Sequence, residues 1–161
     1  AGEDPVFIAR RLVISAAEDI GLANPNGLAV AMAAQQAVSF VGMPEGRIPL
    51  AEATIYLATA PKSNSAYKAI DKALEFVKAS RDEPVPHHLR NAPTKLMKEL
   101  GYGEGYEYPH DMPGHFSQAD NLPEAIKNER FYEPADLGTE HAIRARLIKW
   151  WGERYEKSSD G

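Results

Sequence analysis

Apolar side chains recur at about one helical turn in two stretches near the start of the chain, which predicts two amphipathic helices. Asp4-Pro5 begins the first, because an aspartate N-cap followed by a proline at the first helical position favours a helix start, and Gly21 ends it. Its apolar positions are Ile8, Leu12, Ala16 and Ile20. Asn24-Pro25 begins a second, alanine-rich helix, which Gly42 ends.

Two further helices are predicted before residue 80. Pro49 begins the third and Pro61 stops it, and Ser63 or Asn64 caps the fourth. The buried stripe of the fourth helix is expected at Tyr67, Ile70, Leu74 and Val77. Its solvated face is expected at Lys68, Asp71, Lys72 and Glu75.

Helical periodicity is interrupted more often in the second half of the chain. Pro93 begins a short helix that ends before Gly101, and prolines and glycines interrupt every period over residues 101–121, which predicts an ordered but irregular excursion. A short helix is expected from Pro123 to Asn128, and a long last helix after Gly138-Thr139. Because no stretch alternates as a strand does, the predicted fold class is all-α.

Length and composition predict one domain over residues 1–161, since 161 residues with 43% hydrophobic content can bury one sizeable core. The chain opens without a methionine or a signal-peptide pattern, so we expect it to be a piece of a longer protein. No apolar run reaches the roughly 18 residues of a membrane span. The absence of cysteine excludes disulfides and thiolate chemistry.

The net charge of −5 conceals a segregation along the chain. Residues 62–98 carry 8 basic and 4 acidic groups, whereas residues 99–140 carry 2 basic and 10 acidic groups. The overall balance argues against a protein that coats nucleic acid. It leaves room for a local basic patch or for complementary association between copies.

Histidines raise the hypothesis of a helical metal hydrolase. The candidates are His87, His88, His110, Asp111 and His115. Adjacent His87 and His88 point in different directions in any regular element, and Pro109 and Pro113 remove the helix that would orient His110-Asp111. We therefore predict no metal site, and elemental analysis of untagged protein would test this.

Other chemistry has no support in the pattern. No Gly-Lys dipeptide occurs, so the chain has no phosphate-binding P-loop. No serine lies in a Gly-x-Ser-x-Gly context. We predict neither catalytic residues nor a cofactor site in this chain.

Association surfaces are better supported than catalysis. Adjacent Trp150 and Trp151 diverge by about 100° on a helix, so one of the rings is expected to be partly exposed unless both are covered intramolecularly. Candidate interface residues are Trp150, Trp151, Tyr67 and Leu74. Candidate nucleic-acid contacts are Arg90, Lys95, Lys98, Arg144, Arg146 and Lys149.

Five blocks in this order resemble the C-terminal domain of the replication-associated recombination protein A (MgsA) family, which includes the eukaryotic Werner-helicase-interacting protein. The blocks are "GEDPVFIARRLVISAAEDIGLANP", "APKSNSAYKAI", "PVPHHLRNAPTKLMKELGYG", "YEYPHD" and "FYEPADLGTEHAIRARL". They cover nearly the whole chain. Blocks of this length are far more specific than any short motif.

The resemblance implies a multi-helix orthogonal bundle, similar to the collar domain of clamp-loader subunits, through which family members assemble, typically as tetramers. It places the ATPase, with ATP and Mg, in an upstream AAA+ core. It also implies a cytoplasmic, nucleoid-associated parent protein that acts at stalled forks on single-stranded or forked DNA, with single-strand-binding protein as a partner and no membrane. The alternative is a monomeric module that docks on DNA or on single-strand-binding protein.

Overall fold

The computed structural model describes residues 2–80 and 83–156, and within these ranges the chain is helical with no strand. The predicted all-α class is confirmed, whereas the orthogonal arrangement and the likeness to a clamp-loader collar stay predictions. The α-helices in the described ranges are α1 (Pro5–Ser15), α2 (Asn26–Val41), α3 (Arg47–Thr59), α4 (Ser65–Ala79), α5 (Lys95–Glu99), α6 (Glu140–Trp151) and α7 (Glu153–Glu156).

The chain divides into two compact units by its internal contacts. The first contains residues up to 74 together with 131–146, and the second contains residues 75–130 together with the residues from 147 onward. The expectation of one domain over the whole chain stays a prediction. Helices α4 and α6 each run from one unit into the other along the chain.

The core of the first unit lies where α1, α2 and α3 pack together. Small side chains dominate it, and this permits close approach of the helices. Its buried apolar residues are Ala9, Ala16, Ile20, Ala23, Ala31, Ala34, Val38, Leu50, Ala53 and Leu57. Gly27 is part of this close packing, since a Cβ there would lie 3.1 Å from Ile20 and 3.2 Å from Leu57.

Capping side chains mark helix starts, but α3 and α5 do not begin at the prolines expected to start them. The Asp4 carboxylate accepts from the Val6 amide at 3.1 Å, as the N-cap pattern predicted. Helix α3 begins at Arg47, two residues before the proline expected to start it. Helix α5 is capped by Thr94, whose Oγ1 accepts from the Met97 amide at 3.3 Å, so Pro93 precedes the cap. Beyond α1, residues 16–20 form a π-turn and residues 21–23 a 3-10 turn.

Residues 131–146 close the first unit at a tight backbone approach. Gly138 has a φ of +56°, and a Cβ there would overlap the carbonyl oxygen of Ala23. The Thr139 amide donates to that same Ala23 oxygen at 2.9 Å, and its hydroxyl donates to the Leu22 carbonyl. Only glycine fits position 138. Its backbone lies in the left-handed region, which disfavours residues with a Cβ, and a Cβ would also clash with the Ala23 carbonyl oxygen.

The second unit is built from short pieces. Residues 101–121 hold two single 3-10 turns, at Pro109–Asp111 and Pro113–His115, and no α-helix. A further 3-10 turn at Glu124–Ile126 occupies the stretch where a short helix was expected. The prolines of these segments lack an amide donor, and their glycines favour turns, which explains why no longer helix forms.

Candidate interaction surfaces

The apolar stripe of α4 faces outward. Tyr67, Ile70, Leu74 and Val77 are 47%, 55%, 50% and 62% exposed. The expectation that this stripe is buried is therefore wrong. A helical pattern identifies the apolar side of a helix, but it cannot say whether the same chain covers that side. The side of α4 that does pack on its own chain is turned about a third of the helix circumference away and begins at buried Ser65.

Tyr67 lies beside a carboxylate one helical turn further along α4. The negative charge of Asp71 and a hydrogen bond with it raise the pKa of Tyr67 above its ordinary value of 10.0, with a smaller contribution from Glu18. The cause is that a nearby negative charge opposes formation of tyrosinate. The Tyr67 hydroxyl is therefore a donor to Asp71 over the working pH range.

Other large apolar side chains of the first unit are also exposed. Phe40, near the end of α2, is 93% exposed. The remaining members of this group near the α2–α3 connection and along α3 are Val41, Met43, Ile48 and Ile55. A surface with this many large apolar side chains is typical of a protein that is covered by a partner.

Trp150 and Trp151 share one aromatic partner in the second unit. Phe116 stacks on Trp150 with ring centroids 4.7 Å apart and an interplanar angle of 8°, and it meets Trp151 edge-on at 5.3 Å. Both indoles are half-buried. Sequence reasoning predicted the divergence of the two rings but missed Phe116, which lies in the irregular excursion.

Arg154 is a second feature that the sequence did not indicate. Its guanidinium donates to the backbone carbonyls of Lys127 at 2.7 Å and Glu129 at 2.9 Å. It lies 3.6 Å from an Asp120 carboxylate oxygen and 5.5 Å from the centre of the Trp151 ring. One side chain thus ties three segments of the second unit together, and no local motif marks such a role.

The predicted nucleic-acid contacts of the second unit differ in their surroundings. Arg90 is half-buried, and its guanidinium donates to the Val85 carbonyl at 2.6 Å and to the Tyr102 hydroxyl at 3.2 Å. The side chain of Lys95 is 92% exposed and lies 3.8 Å from Glu99. Lys98 is exposed as well. The two lysines are therefore open to a ligand, whereas Arg90 is engaged within the unit.

The other predicted contacts lie on α6. Arg144 is half-buried, and Arg146 and Lys149 are exposed. Arg144 and Arg146 each take part in an interaction within the chain. Lys149 is the exposed cation of this helix that stands next to the tryptophan pair.

The candidate histidines lie in two groups. His88 approaches the Asn121 side-chain oxygen at 3.4 Å, and His87 meets the Tyr102 ring edge-on at 5.4 Å. His115 Nδ1 lies 3.1 Å from the His110 carbonyl oxygen. Across residues 2–80 and 83–156, no three His, Asp or Glu side chains converge in a way that could hold a metal ion.

A cavity of about 670 Å³ opens in the second unit beside the first histidine group. Its walls combine prolines with charged residues, and three of the latter are acidic: Glu83, Asp120 and Glu124. Glu124 pairs with Lys127, and Asp120 with Arg154. Arg90 lines the same cavity, so its walls carry charges of both signs.

Glu140 is the fully buried charged residue of the first unit, at 0% exposure. Its Oε1 accepts hydrogen bonds from the Ser65 hydroxyl and, at 2.7 Å, from the Tyr132 hydroxyl. Its Oε2 has no hydrogen-bonding partner among the described residues. As the first residue of α6, Glu140 also stands where a helix favours a negative charge. The sequence showed an acidic residue after Gly138-Thr139 but gave no sign that it is buried.

Comparison with known proteins decides the family. The model of the family described as "MgsA AAA+ ATPase C terminal" matches residues 1–151. The chain belongs to this family. The resemblance stated from the five sequence blocks is thereby confirmed.

Curated relatives of this MgsA C-terminal chain come from bacteria and from a eukaryote. It is 47% identical over 148 residues, 91% of its length, to replication-associated recombination protein A of Haemophilus influenzae. It is 43% identical over 159 residues, 98% of its length, to the Escherichia coli K12 protein of the same name. It is 48% identical over 135 residues, 83% of its length, to the ATPase WRNIP1 of Dictyostelium discoideum.

This MgsA C-terminal chain spans only part of each relative. The matched region is 33% of the Haemophilus protein, 35% of the Escherichia protein and 15% of the Dictyostelium protein. In the described parts of the chain, no helix combines the length and the apolar character that crossing a membrane requires.

Proposed function

We propose that this chain is the non-catalytic oligomerisation module, forming tetramers, of a DNA-dependent AAA+ ATPase that acts in replication, recombination and repair at stalled forks. The parent protein binds ATP and Mg in its AAA+ core, outside this chain. It is a cytoplasmic protein of the nucleoid. Its further partners are single-stranded or forked DNA and single-strand-binding protein.

The observation that carries this proposal is the set of large apolar side chains exposed along α2, α3 and α4. Phe40 and the stripe of α4 expose large apolar side chains to solvent, which costs free energy unless a partner covers them. Removing such surface from water is favourable and therefore drives association. The names of the relatives support the assignment to replication and recombination.

Light scattering coupled to size exclusion tests self-association. At micromolar concentration and moderate salt, we expect a mass several times that of the 17.7 kDa chain. The proposed value is four times the chain mass. A purely monomeric profile across this concentration range would contradict the proposal.

The second candidate function is a monomeric docking module for DNA or single-strand-binding protein. Its support is the exposure of Lys95, Lys98 and Lys149, since exposed cations attract phosphate. Fluorescence anisotropy with a labelled single strand at two salt concentrations tests it. A salt-dependent affinity that is lost in Lys95→Ala/Lys98→Ala or in Arg144→Ala/Arg146→Ala, with the mass unchanged, would favour this candidate.

Single-strand-binding protein needs a separate measurement. Adding the purified protein to the chain in the same light-scattering experiment should produce a heavier peak if the chain docks on it. Unchanged elution of both proteins would contradict the proposal that single-strand-binding protein is a partner of this chain.

A further inference from the structure

The outward stripe of α4 has the spacing of a helix-pairing seam. Tyr67, Ile70, Leu74 and Val77 follow one another at intervals of three, four and three residues, which is the alternation of core positions in paired helices. Each is about half to two-thirds exposed. Four such positions make a continuous apolar seam about three turns long.

The seam is distinct from the side of α4 that packs on its own chain. Ser65 is buried, and Ala69, Ala73 and Phe76 are half-buried along the neighbouring side of the helix. These positions cluster about 125° away from the seam. The helix therefore has two apolar sides, and one of them is left uncovered in the described chain.

We propose that the α4 seam pairs with the α4 seam of a second copy, antiparallel, around a twofold axis that crosses the seam at the level of residue 72. This inference rests on the proposed function, because it names the contact through which the copies associate. In this register Tyr67 meets Val77 of the partner subunit, and Ile70 meets Leu74 of the partner subunit. The same four side chains serve both copies, as a twofold interface requires.

Charge at the edge of the seam favours this orientation. Asp71 and Lys78 flank the seam on one side, two helical turns apart. Lys78 has no ion-pair partner among the residues the structure describes. In the antiparallel register, Asp71 lies about 7.5 Å along the axis from the partner's Lys78.

Side-chain direction brings these two charges together. Side chains on a helix lean toward its N-terminus, so Asp71 and the partner's Lys78 lean toward each other, whereas the two copies of Asp71 lean apart. Asp71 also accepts from Tyr67, but a carboxylate has room for several donors. The pairing therefore contains two symmetry-related ion pairs, each between Asp71 and the partner's Lys78, beside the apolar contacts of the seam.

A second copy fits this surface better than nucleic acid does. Asp71, Glu75 and Lys78 lie beside the seam, and their net negative charge opposes a phosphate backbone. The seam itself offers aliphatic side chains and one tyrosine, which match another apolar helix.

The first experiment places a charge in the seam. Leu74→Lys should lower the mass measured by light scattering at least two-fold at micromolar concentration. Ala79→Lys is the matched control, because it adds a lysine at an exposed position of α4 about 160° around the helix from the seam, and it should leave the mass unchanged. Far-UV circular dichroism checks that both variants keep their helices.

The outcomes separate the inference from the proposed function. If the unmodified chain is an oligomer and Leu74→Lys is folded but equally large, the α4 pairing is wrong and self-association stands. If the unmodified chain is a monomer, both the α4 pairing and the proposed oligomerisation are wrong. If Leu74→Lys loses its helices, the second experiment decides.

The second experiment uses the absence of cysteine from the chain. In the antiparallel register, two Asp71→Cys side chains lie about 3 Å apart along the axis, whereas two Lys78→Cys side chains lie about 18 Å apart. A short bis-maleimide cross-linker should therefore join Asp71→Cys into covalent dimers on denaturing gels and leave Lys78→Cys single. Equal cross-linking of the two variants, or a preference for Lys78→Cys, would overturn the antiparallel pairing.

Discussion

The two units of the chain are each organised by a charged side chain, but in different ways. In the first unit, buried Glu140 accepts from two hydroxyls that lie 75 and 8 positions away in the sequence. In the second, Arg154 donates to two backbone carbonyls, and about a quarter of its side chain, 26%, remains exposed. The charged residue of the first unit is therefore fully buried, whereas that of the second is partly exposed to solvent.

This difference sets what each unit loses when its central residue is removed. Burying a charge is costly unless hydrogen bonds compensate, and deleting one member of a buried polar cluster leaves the others unsatisfied. Water can reach a half-exposed site and replace lost hydrogen bonds. We therefore expect the first unit to be more sensitive to substitution at its centre than the second.

Glu140→Ala should have the largest effect. It leaves the Ser65 and Tyr132 hydroxyls buried without an acceptor and opens a cavity, so we expect a loss of about 3–5 kcal/mol in the free energy of unfolding. Urea denaturation followed by far-UV circular dichroism measures this. Exposed Glu52→Ala on α3 is the matched control and should change stability by less than about 0.5 kcal/mol.

A combined variant separates the lost hydrogen bonds from the lost volume. Glu140→Leu together with Ser65→Ala and Tyr132→Phe removes every polar member of the cluster and keeps most of its volume. Replacing all partners by apolar groups of similar shape is often close to neutral, so this variant should be more stable than Glu140→Ala. A combined variant that is less stable would contradict the cluster as described.

The contrast between the units also explains what the sequence could predict. Helices α1 to α4 follow from short-range signals, namely Asp4-Pro5, the prolines, and apolar residues at helical spacing. The role of Glu140 depends on Ser65, far away in the sequence, and no local pattern carries that information. The exposure of the α4 stripe was mispredicted for the same reason, because covering a stripe is a property of the fold and of its partners.

In the second unit, local signals predicted irregularity but not its organisation. Prolines and glycines over 101–121 indicated turns, and single 3-10 turns are what the structure contains. The partners that stabilise these turns, Phe116 under the tryptophans and Arg154 on the carbonyls, lie in segments without periodicity. Their roles required the three-dimensional arrangement.

Arg154→Ala should have the next largest effect, on the second unit. It removes two hydrogen bonds from a charged donor and the contact with Trp151, and we expect a loss of about 2–3 kcal/mol. Both tryptophans of the chain lie in this unit, so their fluorescence during urea denaturation reports on it.

The control for this substitution keeps the charge. Arg154→Lys retains the positive charge but cannot reach two carbonyls with a planar fork, so it should recover only part of the loss. Full recovery by lysine would show that charge alone matters at this position. An unchanged midpoint of the fluorescence transition in Arg154→Ala would show that Arg154 does not stabilise the second unit.

Tyr132→Phe should have a smaller effect than either charge deletion. Glu140 keeps its hydrogen bond from Ser65 and loses only the one from Tyr132, so we expect a loss of about 1–2 kcal/mol in urea denaturation. Tyr56→Phe, which removes a half-buried hydroxyl bonded to Asn24 at 3.0 Å, is the matched control for a tyrosine outside the cluster. Equal losses of stability in the two variants would mean that the hydrogen bond from Tyr132 to buried Glu140 contributes no more than the one between Asn24 and Tyr56.

The Tyr67–Asp71 pair on α4 differs from the Tyr132–Glu140 pair because its tyrosine is 47% exposed, and its removal should have the smallest effect. Asp71 raises the pKa of Tyr67, so this interaction stabilises the fold below the ordinary tyrosine pKa and is lost as the pH rises through the raised value. Asp71→Asn removes the charge, and the pKa of Tyr67 should fall toward 10.0. Titration of tyrosinate absorbance, with Tyr67→Phe to identify its signal among seven tyrosines, measures the shift. An unchanged Tyr67 titration in Asp71→Asn would show that the Asp71 carboxylate does not set the pKa of this tyrosine.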